Sequence, residues 1–231
     1  MKQNKYNWKH FWDNQSKKDH FISMGRSAYS LDDFNSYFSN VIKNLSPISN
    51  KTKFLDCGGG TGLFSWIIYP FVKEIYLTDY SKEMIKQAKK RFKEKKKIRI
   101  YLKDIRNLQF KKNLKFDRIL FGSVLQYLED YNDIDIIFKS LKKITSKNSK
   151  ILFTQNPNIF QKSEHLKSYK NLKWKKSKIL KSLIEEEKRF WINFNEIKKI
   201  ANKNGFKATS KINKSKVLYE NSHMIDFLLY K

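Results

Sequence analysis

The spacing of the hydrophobic residues changes near residue 50. Before it, apolar side chains recur at helical spacing from Phe34 to Leu45, and Pro47 ends the predicted helix. After it, short apolar runs alternate with helical stretches. The predicted strands are 53–55, 75–78, 98–102, 116–121 and 151–155, and the predicted helices are 63–69, 81–95 and 134–145. This alternation predicts a doubly wound α/β fold, in which helices cover both faces of a mainly parallel sheet.

The rest of the chain first departs from this pattern and then returns to it. A polar, lysine-rich stretch at 156–178 follows the fifth predicted strand. A helix at 193–204 comes next, with Gly205 in the C-cap position, and two apolar stretches follow at 206–212 and 224–230. We therefore predict a single domain over residues 1–231, with a helical arm at 1–50 and an insert after the fifth strand at 156–190.

The charge of the chain is strongly positive, but its composition weakens the case for a nucleic-acid partner. The 231 residues include 49 Lys and Arg against 22 Asp and Glu, a formal charge of +27. Only six of the basic residues are arginine, the side chain that suits bidentate contacts to bases and phosphates. An AT-rich genome produces the same excess of Lys, Ile and Asn over Ala. The charge therefore favours a solvated lysine surface.

Composition also excludes several classes of protein. With 40% hydrophobic and 15% aromatic residues, the chain is too apolar to be disordered. No apolar run approaches the ~18 residues that span a membrane, and the first residues lack the apolar core of a signal peptide. We therefore expect a cytoplasmic protein. Cys57 is the only cysteine, which excludes an intrachain disulfide and a thiolate cluster, and no metal site is expected.

The most informative segment is a glycine-rich turn between the first predicted strand and the next helix. Asp56, Gly58, Gly60 and Gly62 follow one another at two-residue spacing. Such glycines let a ligand approach the backbone, and amides at a helix N-terminus can bind its charged groups. The segment departs from the dinucleotide fingerprint, because Leu63 stands where the last glycine would be. It also lacks the Gly-Lys-Ser/Thr of a nucleoside-triphosphate loop.

Polar residues also follow the next three predicted strands. Asp79 ends the second strand, where a carboxylate is suited to accept hydrogen bonds from both ribose hydroxyls. Asp104 ends the third strand, where it can accept a hydrogen bond from an adenine amino group. Gly122 and Ser123 end the fourth strand, beside the first one, at the switch point where open α/β sheets bind their ligands.

Together these motifs resemble the class I S-adenosylmethionine-dependent methyltransferases. Their order and spacing match that family over residues 50–155, and the last helix and two strands extend the resemblance to residue 231. The resemblance implies a Rossmann-like sheet of seven strands, of which only the last is antiparallel. It divides the predicted domain into an arm (1–50), a cofactor-binding half (51–155), a substrate-side insert (156–190) and a closing helix and hairpin (191–231).

The resemblance also implies how S-adenosyl-L-methionine and its product S-adenosyl-L-homocysteine are bound. The methionine part is expected along the loop at 58–62, which Asp56 orders, and the ribose on Asp79. Arg26 of the arm is expected to pair with the methionine carboxylate. The full set of expected cofactor-binding residues is Arg26, Asp56, Gly58, Gly60, Gly62, Asp79, Tyr80, Met84, Asp104, Ile105 and Ser123.

Catalytic residues are less well defined by the sequence. A hydroxyl or ammonium acceptor must lose a proton, so a base near the acceptor is expected. His20 in the arm, His165 in the insert and Tyr127 after the fourth strand are the candidates, with Gln126 as a further substrate contact. Residues 11–26 and 156–174 are expected to cover the acceptor.

The acceptor is predicted to be a small anionic molecule. The adenine-methylating motif Asp/Asn-Pro-Pro-Tyr/Phe is absent after the fourth strand, and Cys57 lies in the cofactor loop, where it cannot serve as a cytosine-attacking nucleophile. We therefore predict methylation of nitrogen or oxygen in a phosphorylated or nucleotide-linked metabolite, such as a surface-polysaccharide precursor. An RNA methyltransferase and a non-catalytic, cofactor-binding partner subunit stay open as alternatives.

Overall fold

The structure is a computed structural model that describes residues 7–17, 30–169, 175–212 and 223–231. The helices are α1 (Trp8–Gln15), α2 (Leu31–Leu45), α3 (Leu63–Ile68), α4 (Lys82–Arg91), α5 (Tyr131–Ile144), α6 (Lys162–Ser168), α7 (Lys176–Lys188) and α8 (Phe194–Lys203). The strands are β1 (Lys53–Cys57), β2 (Glu74–Asp79), β3 (Ile98–Leu102), β4 (Phe116–Gly122), β5 (Thr145–Pro157), β6 (Lys207–Ile212) and β7 (Met224–Tyr230). Short 3₁₀ turns lie at Tyr69–Phe71, Leu125–Tyr127 and Ile159–Gln161.

The strands form one sheet in the order β3-β2-β1-β4-β5-β7-β6. The β1–β2, β1–β4, β2–β3 and β4–β5 pairs are parallel. Among the described strands, β7 is the one that runs antiparallel to its neighbours β5 and β6. The order reverses between β1 and β4, which places a switch point there. The predicted doubly wound, seven-stranded fold is confirmed.

Alternate residues of the central strands pack into two different layers. Ile119 and Phe121 of β4 join a cluster with residues of α5 and α8 on one face of the sheet. Leu120, between them, joins a cluster with residues of α2 and α3 on the other face. Because side chains alternate along a strand, this pattern shows that helices bury both faces of the sheet.

Local sequence signals set the ends of several helices. Ser30 and Asp33 form a capping box at the start of α2, and Ser81 caps α4 by accepting a hydrogen bond from the Met84 amide. Gly205, directly after the C-cap of α8, has a φ of 79°, in the left-handed region that a glycine adopts without strain. These boundaries agree with the periodicity of the sequence.

Two parts of the chain, the fifth strand and the insert, differ from the sequence prediction. Strand β5 begins at Thr145, directly after α5, rather than at residue 151. Its first residues include exposed polar side chains, so the apolar pattern does not mark them. The polar insert contains two helices, α6 and α7, and much of α7 is exposed, which hides its helical period from a search for apolar positions. The boundaries proposed inside the single domain stay predictions.

Within the described residues, no helix is both long and apolar enough to span a membrane.

Candidate active site

A cavity of about 280 Å³ lies beyond the carboxyl ends of β1 to β5. It spans both sides of the switch point, from the end of β3 to helix α7. Its lining residues are Trp8, Phe11, Trp12, Gly58, Gly60, Asp79, Tyr80, Met84, Lys103, Asp104, Ile105, Arg106, Gly122, Ser123, Val124, Gln126, Tyr127, Leu128, Gln155, Glu185, Arg189 and Met224. The position is the one where doubly wound sheets bind ligands.

The glycines after β1 serve different purposes. Gly60 lines the cavity at a φ of 56°, and a Cβ atom built on it would meet nothing closer than Met84 Sδ at 3.9 Å. Gly62 is the N-cap residue before α3, with a φ of 83°, and a Cβ there would lie 2.5 Å from the Phe92 ring. Gly58 also lines the cavity, backed by Val124. A Cβ on Gly58 would lie 2.7 Å from Val124 Cγ2. Thus Gly60 leaves space for a ligand, whereas Gly58 and Gly62 leave space for the packing of neighbouring side chains.

Asp56 lies beneath this loop and does not line the cavity. Its Oδ2 accepts a hydrogen bond of 2.7 Å from the Ser65 hydroxyl of α3. A Cβ on Gly59 would lie 2.7 Å from the Asp56 carboxyl carbon, so the carboxyl packs directly against the loop backbone. Burial raises the pKa of Asp56 to about 6. Its position is that of a residue that supports the loop rather than one that contacts a ligand.

Asp79 connects the loop to the start of α4. Its carboxylate accepts hydrogen bonds from the Gly60 amide (3.0 Å) and the Ser81 amide (2.9 Å). The side chain is buried but lines the cavity, and burial raises its pKa to about 6, against the lowering effect of these amides. Each carboxylate oxygen has a second lone pair, so the group can accept further hydrogen bonds from a ligand.

The residues expected around an adenine ring also meet at the cavity. Tyr80, Met84, Asp104 and Ile105 all line it. The Tyr80 hydroxyl is buried and has no hydrogen-bond partner among the described residues, and burial raises its pKa. Asp104 accepts three side-chain hydrogen bonds from the Arg106 guanidinium, at 2.6, 3.0 and 3.2 Å, so an adenine amino group would share this carboxylate with Arg106.

Helix α1 covers one side of the cavity. Asp13 accepts a hydrogen bond from the Ser81 hydroxyl at the start of α4. The rings of Trp8 and Trp12 pack on the Tyr127 ring, with centroid distances of 4.8 and 5.5 Å. The sequence placed a cover at 11–26 but did not single out Trp8 as a lining residue. The signal available was the density of aromatic residues in an otherwise polar arm.

The ends of β4 and β5 meet at two residues with left-handed backbone. Ser123 has a φ of 57° and Gln155 a φ of 55°, and the Ser123 hydroxyl donates a hydrogen bond of 2.8 Å to Gln155 Oε1. Both line the cavity. Asp226 of β7 supports this geometry by accepting a hydrogen bond of 2.7 Å from the Gln155 amide. Such backbone strain at a ligand site is typical of functional residues, but the sequence alone gives no sign of it at Gln155.

The candidate catalytic residues lie in different surroundings. Tyr127 lines the cavity, and its hydroxyl accepts a hydrogen bond of 2.7 Å from Gln126 Nε2. His165 is buried on α6 against His223, with ring centroids 3.5 Å apart, and is not among the described lining residues. This position does not support its predicted action as a base. His20 and Arg26 lie outside the described residues, as do residues 170–174 of the insert.

The residues present fit S-adenosyl-L-methionine. The loop leaves open space above Gly60, Asp79 offers acceptor lone pairs in the same cavity, and Tyr80 offers a buried hydroxyl. In the part of the chain that the structure describes, no group of three His, Cys, Asp or Glu side chains could hold a metal ion.

Comparison with known proteins agrees with this arrangement. Residues 55–153 match a family described as "Methyltransferase domain", and no curated protein matches the chain. The N-methyltransferase NodS from Bradyrhizobium japonicum WM9, solved with S-adenosyl-L-homocysteine, is 15% identical, with a TM-score of 0.66 over 96% of this chain and 97% of that one. A methyltransferase from Clostridium acetobutylicum ATCC 824 that depends on S-adenosylmethionine is 16% identical, with a TM-score of 0.65 over 91% and 95%.

A third similar structure is longer than this chain. Phosphoethanolamine N-methyltransferase 2 from Haemonchus contortus, solved with phosphomonomethylethanolamine and S-adenosylhomocysteine, is 17% identical, with a TM-score of 0.61. The match covers 84% of this chain and 51% of that one. At these identities the three structures show that the fold is shared.

Proposed function

We propose that the chain is a class I S-adenosylmethionine-dependent methyltransferase that methylates a nitrogen or oxygen atom of a small, phosphorylated or nucleotide-linked metabolite. Residues 55–153 match a methyltransferase domain, and the chain shares its fold with the similar structures. The observation that carries this proposal is the cavity, which runs without interruption from Asp79 to Arg189 and is covered by α1. A cavity of this size suits a cofactor and a small acceptor better than a folded nucleic acid.

Residues of the cofactor-binding half would hold S-adenosyl-L-methionine, which supplies an electrophilic methyl group on a sulfonium sulfur. We propose that the loop at Gly58 and Gly60 receives the methionine part and that Asp79 accepts hydrogen bonds from the ribose. Tyr80, Met84, Asp104 and Ile105 would surround the adenine, and Ser123 would lie beside the methionine part. Asp56 and Gly62 would act through the shape of the loop. Arg26 keeps its proposed pairing with the methionine carboxylate.

The acceptor would lie between α1, the ends of β4 and β5, and α7. Trp8, Phe11 and Trp12 exclude water from this side, which strengthens polar contacts within the cavity. Ser123, Gln155 and Tyr127 offer hydrogen-bonding groups that orient the acceptor. Positioning of a nucleophile in line with the methyl group can supply a large part of the rate enhancement. We propose Tyr127 as an orienting contact and keep His20 as a candidate base.

The names of two similar structures bear on the proposed acceptor. The NodS protein is named as an N-methyltransferase, and the Haemonchus contortus protein was solved with phosphomonomethylethanolamine. Both share the fold of this chain, and both names indicate methylation of nitrogen. The phosphomonomethylethanolamine bound to the second protein is a small molecule that carries a phosphate, which agrees with the anionic acceptor that we propose.

Transfer of a labelled methyl group across a panel of acceptors tests this function. The panel should contain phosphorylated amines and alcohols, nucleotide sugars and RNA, with mass spectrometry to locate the new methyl group. We expect an anionic small molecule to be methylated, and the Asp79→Ala variant to lose this activity at low cofactor concentration. Methylation of RNA alone would overturn the proposal, and so would a preference for uncharged acceptors.

A further inference from the structure

A group of ionisable side chains is buried where the insert meets the start of β7. Glu186 of α7 is 6% exposed, and its carboxylate lies 3.0 Å from an Nη atom of Arg189 and 3.6 Å from His165 Nε2. His223 stacks on His165 and is 2% exposed. We call Glu186, His165 and His223 the Glu186 cluster. None of its three members lines the cavity described above.

Arg189 connects the Glu186 cluster to the cavity. It follows α7 directly and lines the cavity, and its Nη1 lies 3.5 Å from Gln126 Oε1. The backbone of the same turn is also tied to this region, because the Phe190 amide donates a hydrogen bond of 2.9 Å to the Gln126 carbonyl. The guanidinium is therefore held between a buried carboxylate and the turn that carries Tyr127.

The position of Arg189 differs from that of the other described cations around the cavity. Arg106 is engaged by Asp104 at 2.6 Å, and the Lys103 ammonium lies 5.5 Å from the centre of the Phe110 ring. Both belong to the segment after β3, on the side expected to hold adenine. Arg189 lies on the opposite side, with α7 and the ends of β4 and β5, where the acceptor is proposed.

Within the Glu186 cluster, an ionised Glu186 holds the Arg189 guanidinium in place. Burial raises the pKa of Glu186, but the adjacent His165 and the positive charge of Arg189 lower it by more, so the carboxylate is ionised at neutral pH. Burial lowers the pKa of His223 to about 3, so this side chain is neutral. A charged carboxylate that holds the guanidinium before a ligand arrives reduces the entropy lost on binding.

We propose that Arg189 binds the anionic group of the acceptor, a phosphate or a carboxylate, and that Glu186 is a positioning residue for Arg189. The inference rests on the proposed function, in which the acceptor is small and anionic. A guanidinium offers a planar fork of donors that matches two oxygens of an oxyanion, and here the fork is fixed at the edge of the cavity.

Nitrogen-15 NMR of the arginine side chains tests this assignment directly. The chain has six arginines, so the Nε–H spectrum is simple, and the signal lost in Arg189→Gln identifies Arg189. Inorganic phosphate, and acetate in a second series, are titrated into the enzyme saturated with S-adenosyl-L-homocysteine. We expect a saturable shift of the Arg189 signal with at least one of the two anions. Arg189→Gln should weaken binding of that anion about ten-fold or more.

Two neighbouring glutamates provide a matched comparison. Glu186→Gln removes the buried charge and should move the Arg189 signal in the free enzyme and weaken anion binding several-fold. Glu187→Gln changes an exposed side chain and should leave both unchanged. Calorimetric titration with S-adenosyl-L-homocysteine shows whether each variant is folded. An effect of Glu186→Gln on cofactor affinity and not on the Arg189 signal would indicate a merely structural role.

The assignment is overturned if neither anion shifts the Arg189 signal, or if Arg189→Gln keeps the parental anion affinity. Failure of the proposed function is detected in a different experiment, the methyl-transfer assay across the acceptor panel. Methylation of an uncharged acceptor or of RNA would contradict that function, whereas anion binding at Arg189 is measured without turnover.

Discussion

At the residue scale, the central feature of the site is a carboxylate that is buried before any ligand binds. Asp79 accepts hydrogen bonds from two backbone amides, yet burial still raises its pKa to about 6. Burial also raises the pKa of Asp56, which lies below the same loop, to about 6. At a pH below the ordinary carboxyl pKa of 3.8, a carboxyl whose pKa is raised in the folded protein makes its full contribution to stability. This contribution is lost as the pH rises through about 6. Binding of a ribose to ionised Asp79 has the opposite pH dependence.

We predict that cofactor affinity falls at acidic pH because Asp79 becomes protonated. With a pKa of about 6, roughly one tenth of the Asp79 side chains is ionised at pH 5, so affinity there should be about ten-fold lower than at pH 7.5. Asp79→Asn should weaken binding at pH 7.5 and flatten its pH dependence, and Asp79→Ala should cost about 2–4 kcal/mol of affinity. Calorimetry with S-adenosyl-L-homocysteine measures both effects.

The Glu83→Gln variant is the control, since it removes a partly exposed carboxylate from the first turn of α4, close to Asp79 in the chain, and leaves Asp79 in place. A pH dependence that persists unchanged in Asp79→Asn would show that another group controls cofactor binding.

We predict that alanine at Gly60 and at Gly62 has different consequences. A methyl group at Gly62 would meet Phe92 and Leu77 within 3.0 Å, at a φ of 83°, so Gly62→Ala should destabilise the fold by about 2 kcal/mol or more. At Gly60 the methyl group would enter open cavity space at a φ of 56°, so the loss of stability should be smaller and the loss of cofactor affinity larger. Thermal unfolding without ligand measures the loss of stability, and calorimetry with S-adenosyl-L-homocysteine measures the loss of cofactor affinity. Equal losses of stability in both variants would contradict this division.

At the scale of elements, α1 is joined to the site rather than to the sheet. Asp13 connects it to Ser81, two residues beyond Asp79, and Trp8 and Trp12 pack on Tyr127. The helix therefore contacts both the side of the cavity proposed for the cofactor and the side proposed for the acceptor. Because it adds no strand and buries none of its own residues completely, its removal should leave the sheet intact.

We predict that deletion of residues 1–30 lowers turnover more than ten-fold even at saturating cofactor. The physical reason is that water then enters the acceptor side and the acceptor loses its aromatic contacts. The measurement is the initial rate of methyl transfer to the acceptor found in the panel, with thermal unfolding to check the fold. Lys9→Ala, an exposed change on the same helix, should keep the parental rate. Parental turnover in the deletion variant would place the acceptor elsewhere.

At the scale of the whole molecule, the net charge of +27 and the small cavity point to different kinds of partner. A charge spread over lysines attracts any polyanion from a distance, without geometric specificity. The cavity selects by shape and by a few fixed groups. We assign the function to the cavity, because methyl transfer needs an acceptor held in line with the methyl group.

We therefore predict that RNA binds weakly and with a steep dependence on salt. Counterion release should remove most of this binding between low salt and ~0.15 M, where typical non-specific dissociation constants are about 10⁻⁴–10⁻⁶ M. Fluorescence anisotropy with a structured RNA and with a random RNA of equal length measures it, and the two should behave alike. Nanomolar binding of the structured RNA at physiological salt would favour an RNA acceptor.

The sequence by itself determined the fold and the cofactor side of the site. The period of the hydrophobic residues gave five of the strands and their helices, because strands buried on both faces and amphipathic helices leave a local pattern. The loop at 56–62, Asp79 and Asp104 could be placed because each follows a strand directly, and parallel strands bring their carboxyl ends to one edge. For these residues, the order of strands and helices along the chain was sufficient to predict their position.

Only the tertiary structure decided which residues line the side of the cavity where we propose that the acceptor binds. Gln155 reaches the cavity because β5 deviates from regular pairing with β7 beside it and Asp226 holds its amide, and Arg189 does so because a buried carboxylate fixes it after α7. His165, which the sequence offered as a base, instead stacks on His223, a residue 58 positions away. These contacts join segments that are distant in sequence, and no local period or spacing encodes them. Burial and long-range pairing, which arise only in the folded chain, select the residues that line this side of the cavity.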